Sequence, residues 1–232
     1  MKIPVVRDIL SANDQVAAEN RARFHTRGIL ALNLMASPGA GKTSVILATA
    51  SRLPQTLRYA VIEGDLASTL DADLISRHGI PVVQINTGGS CHLDAPMVAS
   101  ALPHLPLDNL DLLFIENVGN LVCPAEFDLG ADLAVVVASV PEGHDKPYKY
   151  PGMFATADVV LLNKADLLDY FDFDLDYFRH GLEMVRPGVP LFVVSCRSGE
   201  GLDPWVTWLL ARKEQQADHL ATHASSSQVT QT

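Results

Sequence analysis

Seven short aliphatic and β-branched runs, separated by helical stretches or long loops, predict an α/β fold: a doubly wound, mainly parallel seven-stranded sheet with helices on both faces. The runs fall at 30–36, 59–63, 81–86, 112–116, 133–140, 159–163 and 191–195. Two further observations agree with this class. The runs are continuously apolar rather than alternating, as expected of strands covered on both faces, and 232 residues suffice for one substantial core. In such sheets ligands collect beyond the carboxyl ends of the strands, so the residues just after each run are the functional candidates.

In chain order, residues 1–27 are expected to form a leader and an amphipathic helix whose apolar face carries Ile9, Ala12, Val16 and Phe24. Residues 28–213 are the expected nucleotide-binding domain. Within it, Asp174 is placed to cap a helix to about Val185, 186–188 (Arg-Pro-Gly) stop that helix, and a last helix covers 202–212. The Ser-, Thr-, Gln- and Ala-rich stretch 214–232 is expected to be a disordered tail. A net charge of −10 and a pI near 5.1 leave no basic footprint for nucleic acid or an anionic membrane. The charged start resembles no signal peptide and no apolar run approaches about 18 residues, so a cytoplasmic protein is expected. Three cysteines in a reducing compartment suggest ligands or buried thiols rather than disulfides.

Chemistry enters directly after the first run. Ser37-Pro38-Gly39-Ala40-Gly41-Lys42-Thr43-Ser44, between a strand and a helix, is a phosphate-binding loop in which Ala36 replaces the usual first glycine. Gly39 and Gly41 let backbone N–H groups turn inward, the helix N-terminus adds positive potential, Lys42 reaches the outer phosphates and Thr43 can ligate Mg²⁺. The sixth run ends in Asn163-Lys164-Ala165-Asp166, the spacing that reads guanine. The Asp166 carboxylate can accept from guanine N1–H and N2–H₂, which adenine cannot offer, while the Lys164 stem covers the base and Asn163 braces the loop. Ser195, Cys196 and Arg197, after the seventh run, resemble a loop that reads guanine O6. These motifs favour GTP, with an ATP-dependent small-molecule kinase as the alternative.

Oxygen ligands for Mg²⁺ beyond Thr43 are offered by Asp65 and Glu116 at strand ends. Gly119, three residues past Glu116, can offer its N–H to a γ-phosphate, which gives a catalytic set of Lys42, Asp65, Glu116 and Gly119. A second chemistry stands beside the first. Cys91 and His92 follow Gly88-Gly89, and Cys123 lies four residues beyond Gly119, so two thiolates and an imidazole at one sheet edge can bind Ni²⁺ or Zn²⁺. Three ligands fall short of a closed four-coordinate site, which suggests a homodimer pooling two sets.

Residues 5–212 resemble the HypB family, the nickel-insertion GTPases of NiFe-hydrogenase maturation, in V-x-R-D-I-L, E-N-R-A-R-F, S-P-G-A-G-K-T, E-G-D, N-T-G-x-x-C-H-L-D-A, E-N-V-G-N-L-V-C-P-A, E-G-x-D-K-P-x-K-Y-P and N-K-x-D. The resemblance implies GTP-dependent dimerisation, a metal site at Cys91, His92 and Cys123, slow hydrolysis timed to metal delivery, and a hydrogenase large-subunit precursor and other maturation factors as partners. The absence of a Pro between Cys91 and His92 sets the chain apart from the related urease-maturation GTPases, the second alternative. Lys146 and Lys149 are the candidates to cross a dimer interface, with a solvated lysine as the competing reading.

Overall fold

In a computed structural model, residues 7–66 and 68–229 are described, with side chains from 11 to 220; the expected leader at 1–6 lies outside them. The sheet has the order β3-β2-β4-β1-β5-β6-β7, and every pairing among the described residues is parallel. Its strands are β1 (Leu30–Ala36), β2 (Tyr59–Asp65), β3 (Val82–Asn86), β4 (Leu112–Glu116), β5 (Leu133–Ser139), β6 (Val159–Asn163) and β7 (Leu191–Val193). β2 runs two residues beyond its expected end, which puts Glu63 and Asp65 on one side of the strand and Gly64 on the other.

Alternation along β1 shows how both faces are covered. Leu30, Leu32, Leu34 and Ala36 join one core with Val45 and Ile46 of α2 (Lys42–Ala50), Ile75 of α3 (Leu70–Arg77) and Trp205 and Leu209 of α8 (Leu202–Val229). Ala31 and Met35 point to the opposite face, under α1 (Arg7–Thr26), α4 (Ala95–Ala101), α6 (Pro151–Ala155) and α7 (Leu175–Val185). The seven loops that follow the strands thus lie along one edge, with β1 at the centre.

Two expectations are corrected. The buried face of α1 is Asn13, Ala17, Asn20 and Phe24, whereas Ala12 is exposed and Val16 half-buried; the Ile9 side chain lies outside the described residues. Backbone groups hold the buried asparagines: Asn13 donates to Asp128 O (2.9 Å) and accepts from Ala95 N (2.9 Å), and Asn20 donates to Ala95 O (3.0 Å) and Leu129 O (3.2 Å), while its Oδ1 has no partner among the described residues. Hydropathy alone rejects such residues. The second correction is that the last helix, expected over 202–212, continues to Val229. Residues 202–229 contain one proline, in the first turn, and no glycine, and Gln216 donates to Ile29 O (2.9 Å), while Lys213 donates to Gly28 O.

Gly130 holds the α1 contact at close range: its φ is +84°, and a Cβ there would lie 2.4 Å from Ala17 O. Gly130→Ala is expected to destabilise the protein by about 1–3 kcal/mol, measured by urea denaturation; an unchanged midpoint would show that the α1 contact is dispensable.

Candidate nucleotide and metal site

The loop after β1 has the local geometry that phosphate binding needs. Gly39 and Gly41 take φ of +78° and +101°, while Ala36, buried at the end of β1, does not have positive φ, which is why alanine serves where glycine is usual. Pro38, Gly39 and Ser44 are exposed along the loop and Ala40 is buried. The end of β6 clasps the loop: Asn163 donates to Ala40 O (3.0 Å) and Lys164 Nζ to Gly39 O (2.7 Å). Lys164 itself sits at φ +61°, the sharp turn that brings its side chain back. Asp166 accepts from Ser195 Oγ (2.6 Å), and Asn163 Oδ1 accepts from Cys196 N (3.3 Å). Asp166, Leu167, Tyr170, Arg197 and Ser198 then line an open cleft of about 570 Å³ beside the phosphate loop. Burial pushes the Cys196 thiol up to about 11, so it is a packing group in this loop.

Beneath the loop, Glu116 is 3 % exposed, accepts from Thr43 Oγ1 (2.9 Å) and lies 4.0 Å from Lys42 Nζ. Glu63, beside it in the β2–β4 register, is equally buried. The Oε2 atoms of Glu63 and Glu116 have no hydrogen-bond partner among the described residues. Burial, reinforced by Glu116, raises the Glu63 carboxyl to about 8; burial raises Glu116 to about 7 against the opposing pull of Lys42 and Thr43. Unpartnered buried oxygens beside a hydroxyl form a donor set suited to a hard cation, so Thr43 and Glu116 fit Mg²⁺. Asp65 stands apart from this contact, its Oδ2 accepting from Ser68 N (2.8 Å).

On the same edge, one ligand atom each from Cys91, His92 and Cys123 lie within 4.8 Å of one another. A hydrogen bond to Cys123 holds the Cys91 thiol above its ordinary range, and the His92 ring stacks on Phe127 at 3.9 Å. Because β2 separates β3 from β4, the arm carrying Cys91 must cross the tip of β2 to meet Cys123. Gly64 makes room for the crossing: a Cβ there would lie 2.7 Å from Leu93. Leu93 N also donates to Asn117 Oδ1 (3.0 Å), and Asn117 in turn donates to Asn33 on β1 (3.1 Å). Gly119 packs on Pro38, where a Cβ would be 3.0 Å from the Pro38 backbone. The phosphate loop and the metal-ligand cluster therefore share one wall, residues 117–123.

Residues 30–193 match the nucleotide-binding domain of the CobW/HypB/UreG family. The hydrogenase maturation factor HypB of Escherichia coli K12 is 52 % identical over 202 residues, which cover 87 % of this chain and 70 % of that protein. The chain belongs to the HypB family. The hydrogenase/urease maturation factor HypB of Helicobacter pylori J99 is 39 % identical over 96 % of this chain and 92 % of its own. A crystal structure of H. pylori HypB in complex with nickel superposes with a TM-score of 0.84 at 39 % identity, covering 88 % of this chain and 96 % of that one. HypB from Archaeoglobus fulgidus gives 0.82 at 34 % identity, covering 88 % and 100 %. No helix among the described residues is long and apolar enough to cross a membrane.

Sequence reasoning missed two acids of this HypB-family site. Glu63 was hidden inside E-G-D behind the more exposed Asp65; the available signal was a carboxylate within an otherwise apolar strand. Glu142 accepts from Ser37 Oγ of the phosphate loop and from Ser139 Oγ (2.8 Å), fastening the loop that carries Lys146 and Lys149. Lys149 is 2.5 Å from Asp145 and the Lys146 Nζ is 5.3 Å from the Tyr150 ring, so both lysines have partners within their own segment.

A carboxyl whose folded pKa is raised binds its proton more tightly when folded. Its contribution is complete below the unfolded value of 4.5 and is lost as pH rises through about 8. In protein free of nucleotide and Mg²⁺, Glu63→Gln should raise the melting midpoint at pH 8 by several degrees, about 2–4 °C for each kcal/mol relieved, and by much less at pH 5. Equal shifts at both pH values would refute the buried-acid assignment.

Proposed function

We propose that this HypB-family chain is a cytoplasmic GTP-hydrolysing metallochaperone that holds Ni²⁺, or Zn²⁺ in its place, and releases nickel to a hydrogenase large-subunit precursor as its nucleotide state changes. Hydrogenase maturation is the role carried in the names of its relatives, and nickel is the ion in the H. pylori HypB complex. The single observation that carries the reading for this chain is the shared wall: Gly119 touches the phosphate loop and Cys123 ends the same segment among the metal-ligand atoms.

Lys42 and the backbone of residues 37–44 hold the phosphates, and Asp166, with Asn163, Lys164 and residues 195–197, selects guanine. Thr43, Asp65 and Glu116 are the oxygens that would hold Mg²⁺, directly or through water. Bound there, Mg²⁺ supplies positive charge to the phosphoryl oxygens during hydrolysis to GDP and phosphate. Asp65, half-buried at the end of β2 with its side chain bonded within its own turn, is placed to orient the attacking water. Its tie is the bond from Ser68 N. Cys91, His92 and Cys123 bind the transition metal, and a second copy of the chain, brought up in a GTP- or metal-dependent homodimer, completes the ligand set.

Cys91→Ala combined with Cys123→Ala should abolish stoichiometric nickel binding, measured by equilibrium dialysis, while leaving GTP affinity within about threefold, a shift of less than 1 kcal/mol. Retained nickel stoichiometry would remove the metal assignment. Asp166→Asn should weaken GTP by roughly 5–150-fold, the 1–3 kcal/mol of a lost charged acceptor, and leave ATP binding nearly unchanged; an equal loss for both nucleotides would count against guanine selection.

A further inference from the structure

Asn120 lies between Gly119 and the cysteine arm, and each of its polar groups has a different client. Its backbone N–H donates to Ala36 O, the residue that delivers β1 into the phosphate loop, at 2.8 Å. Its side-chain Oδ1 accepts from Val122 N at 2.9 Å, directly before Cys123. Its Nδ2 donates to Cys91 O at 3.2 Å, across the gap between the two arms. Among the described residues this side chain alone is hydrogen-bonded to both metal-bearing arms while its own backbone is tied to the phosphate loop.

The neighbouring Asn117 makes an instructive contrast. It is fully buried, is bonded to Asn33 in the middle of the sheet, and fixes Leu93 two residues past Cys91. It also accepts from Val118 N, but its own backbone N–H is tied to Leu34 inside β1 and not to the start of the phosphate loop. Asn120 is only half-buried and sits next to Gly119, whose lack of a side chain permits the approach to Pro38. A shift of the 119–120 backbone would be carried by one rigid amide to both cysteines at once.

We propose that Asn120 is the positioning residue that relays the nucleotide state to the metal cluster, setting the distance between Cys91 and Cys123. The inference rests on the nucleotide-dependent metal binding proposed above and assigns that dependence to one side chain. Asn120 does not touch the nucleotide; its side chain acts through the Cys91 carbonyl and the Val122 amide, and it also hydrogen-bonds the Cys91 thiol.

The test measures Ni²⁺ affinity by competition with a chromophoric chelator, on protein loaded with GDP or with a non-hydrolysable GTP analogue. Wild type is expected to differ between the two states by on the order of 5–150-fold, the usual span of coupling between sites. Asn120→Ala should bring the ratio to within about twofold of unity, with both nucleotide affinities and the melting midpoint close to wild type. Asn120→Asp keeps the acceptor for Val122 N and places an oxygen against Cys91 O, so it should lose the ratio as well, and it decides the question if the alanine variant does not fold. A residue that merely braced the site would lower nickel affinity equally in both states and leave the ratio intact; that result, or a wild-type ratio in either variant, overturns the proposal while the nucleotide-coupled reading stands. No difference between the states in wild type would instead remove that reading, and the relay with it.

Discussion

The buried carboxylate of Glu116 is the constraint around which the rest of the site is arranged. It closes β4 between Thr43 and Lys42, and its register partner on β2 is another acid, Glu63. Two carboxyls and one ammonium in a space closed to water do not balance, and free protein answers by protonation, with raised values at both acids. A phosphate alone would worsen the imbalance, whereas a divalent cation arriving with the phosphate would relieve it. The proposed binding of nucleotide together with Mg²⁺ would thus rest on burial as much as on any single contact.

Glu116 also fixes where the second chemistry can be. The strand that presents it continues as 117–123, and the backbone must pass the phosphate loop before it can reach solvent. Gly119 against Pro38 and Asn120 N on Ala36 O are the consequences of that path. The other cysteine arrives from β3, one strand further out, by crossing Gly64 between the two acids of β2. Both arms of the cluster therefore rest on strand tips that carry the carboxylates, and neither could be displaced without disturbing the floor of the nucleotide site.

Much of this was legible in the sequence because the signals are local and strong. Continuous apolar runs gave all seven strands to within about two residues at each end, since a strand covered on both faces has no polar alternation to confuse its period. The phosphate loop, N-K-x-D and Cys-His motifs named residues that the fold brings together. What failed depended on long-range satisfaction of polar groups. Asn13 and Asn20 are core residues only because backbone atoms more than seventy residues away accept or donate to them, and Glu63 is buried beside Glu116, its register partner on a strand distant in sequence. Gln216 and Lys213 extend the last helix by reaching backbone carbonyls at the start of β1, a contact that composition cannot announce.

The same distinction separates the two halves of the candidate site. The nucleotide half is built of short-range pieces: a turn, a helix start and a strand end, each specified by neighbouring residues. The metal half exists only once three strands have been laid side by side, because Cys91 and Cys123 are 32 positions apart and arrive on non-adjacent strands. Its three ligand atoms come within 4.8 Å of one another, and the two arms that carry them are positioned by Asn117, by Leu93 over Gly64 and by the Asn120 amide. A cluster whose arms are held by their surroundings is one whose geometry those surroundings can change, and through Asn120 N on Ala36 O they lead back to the phosphate loop.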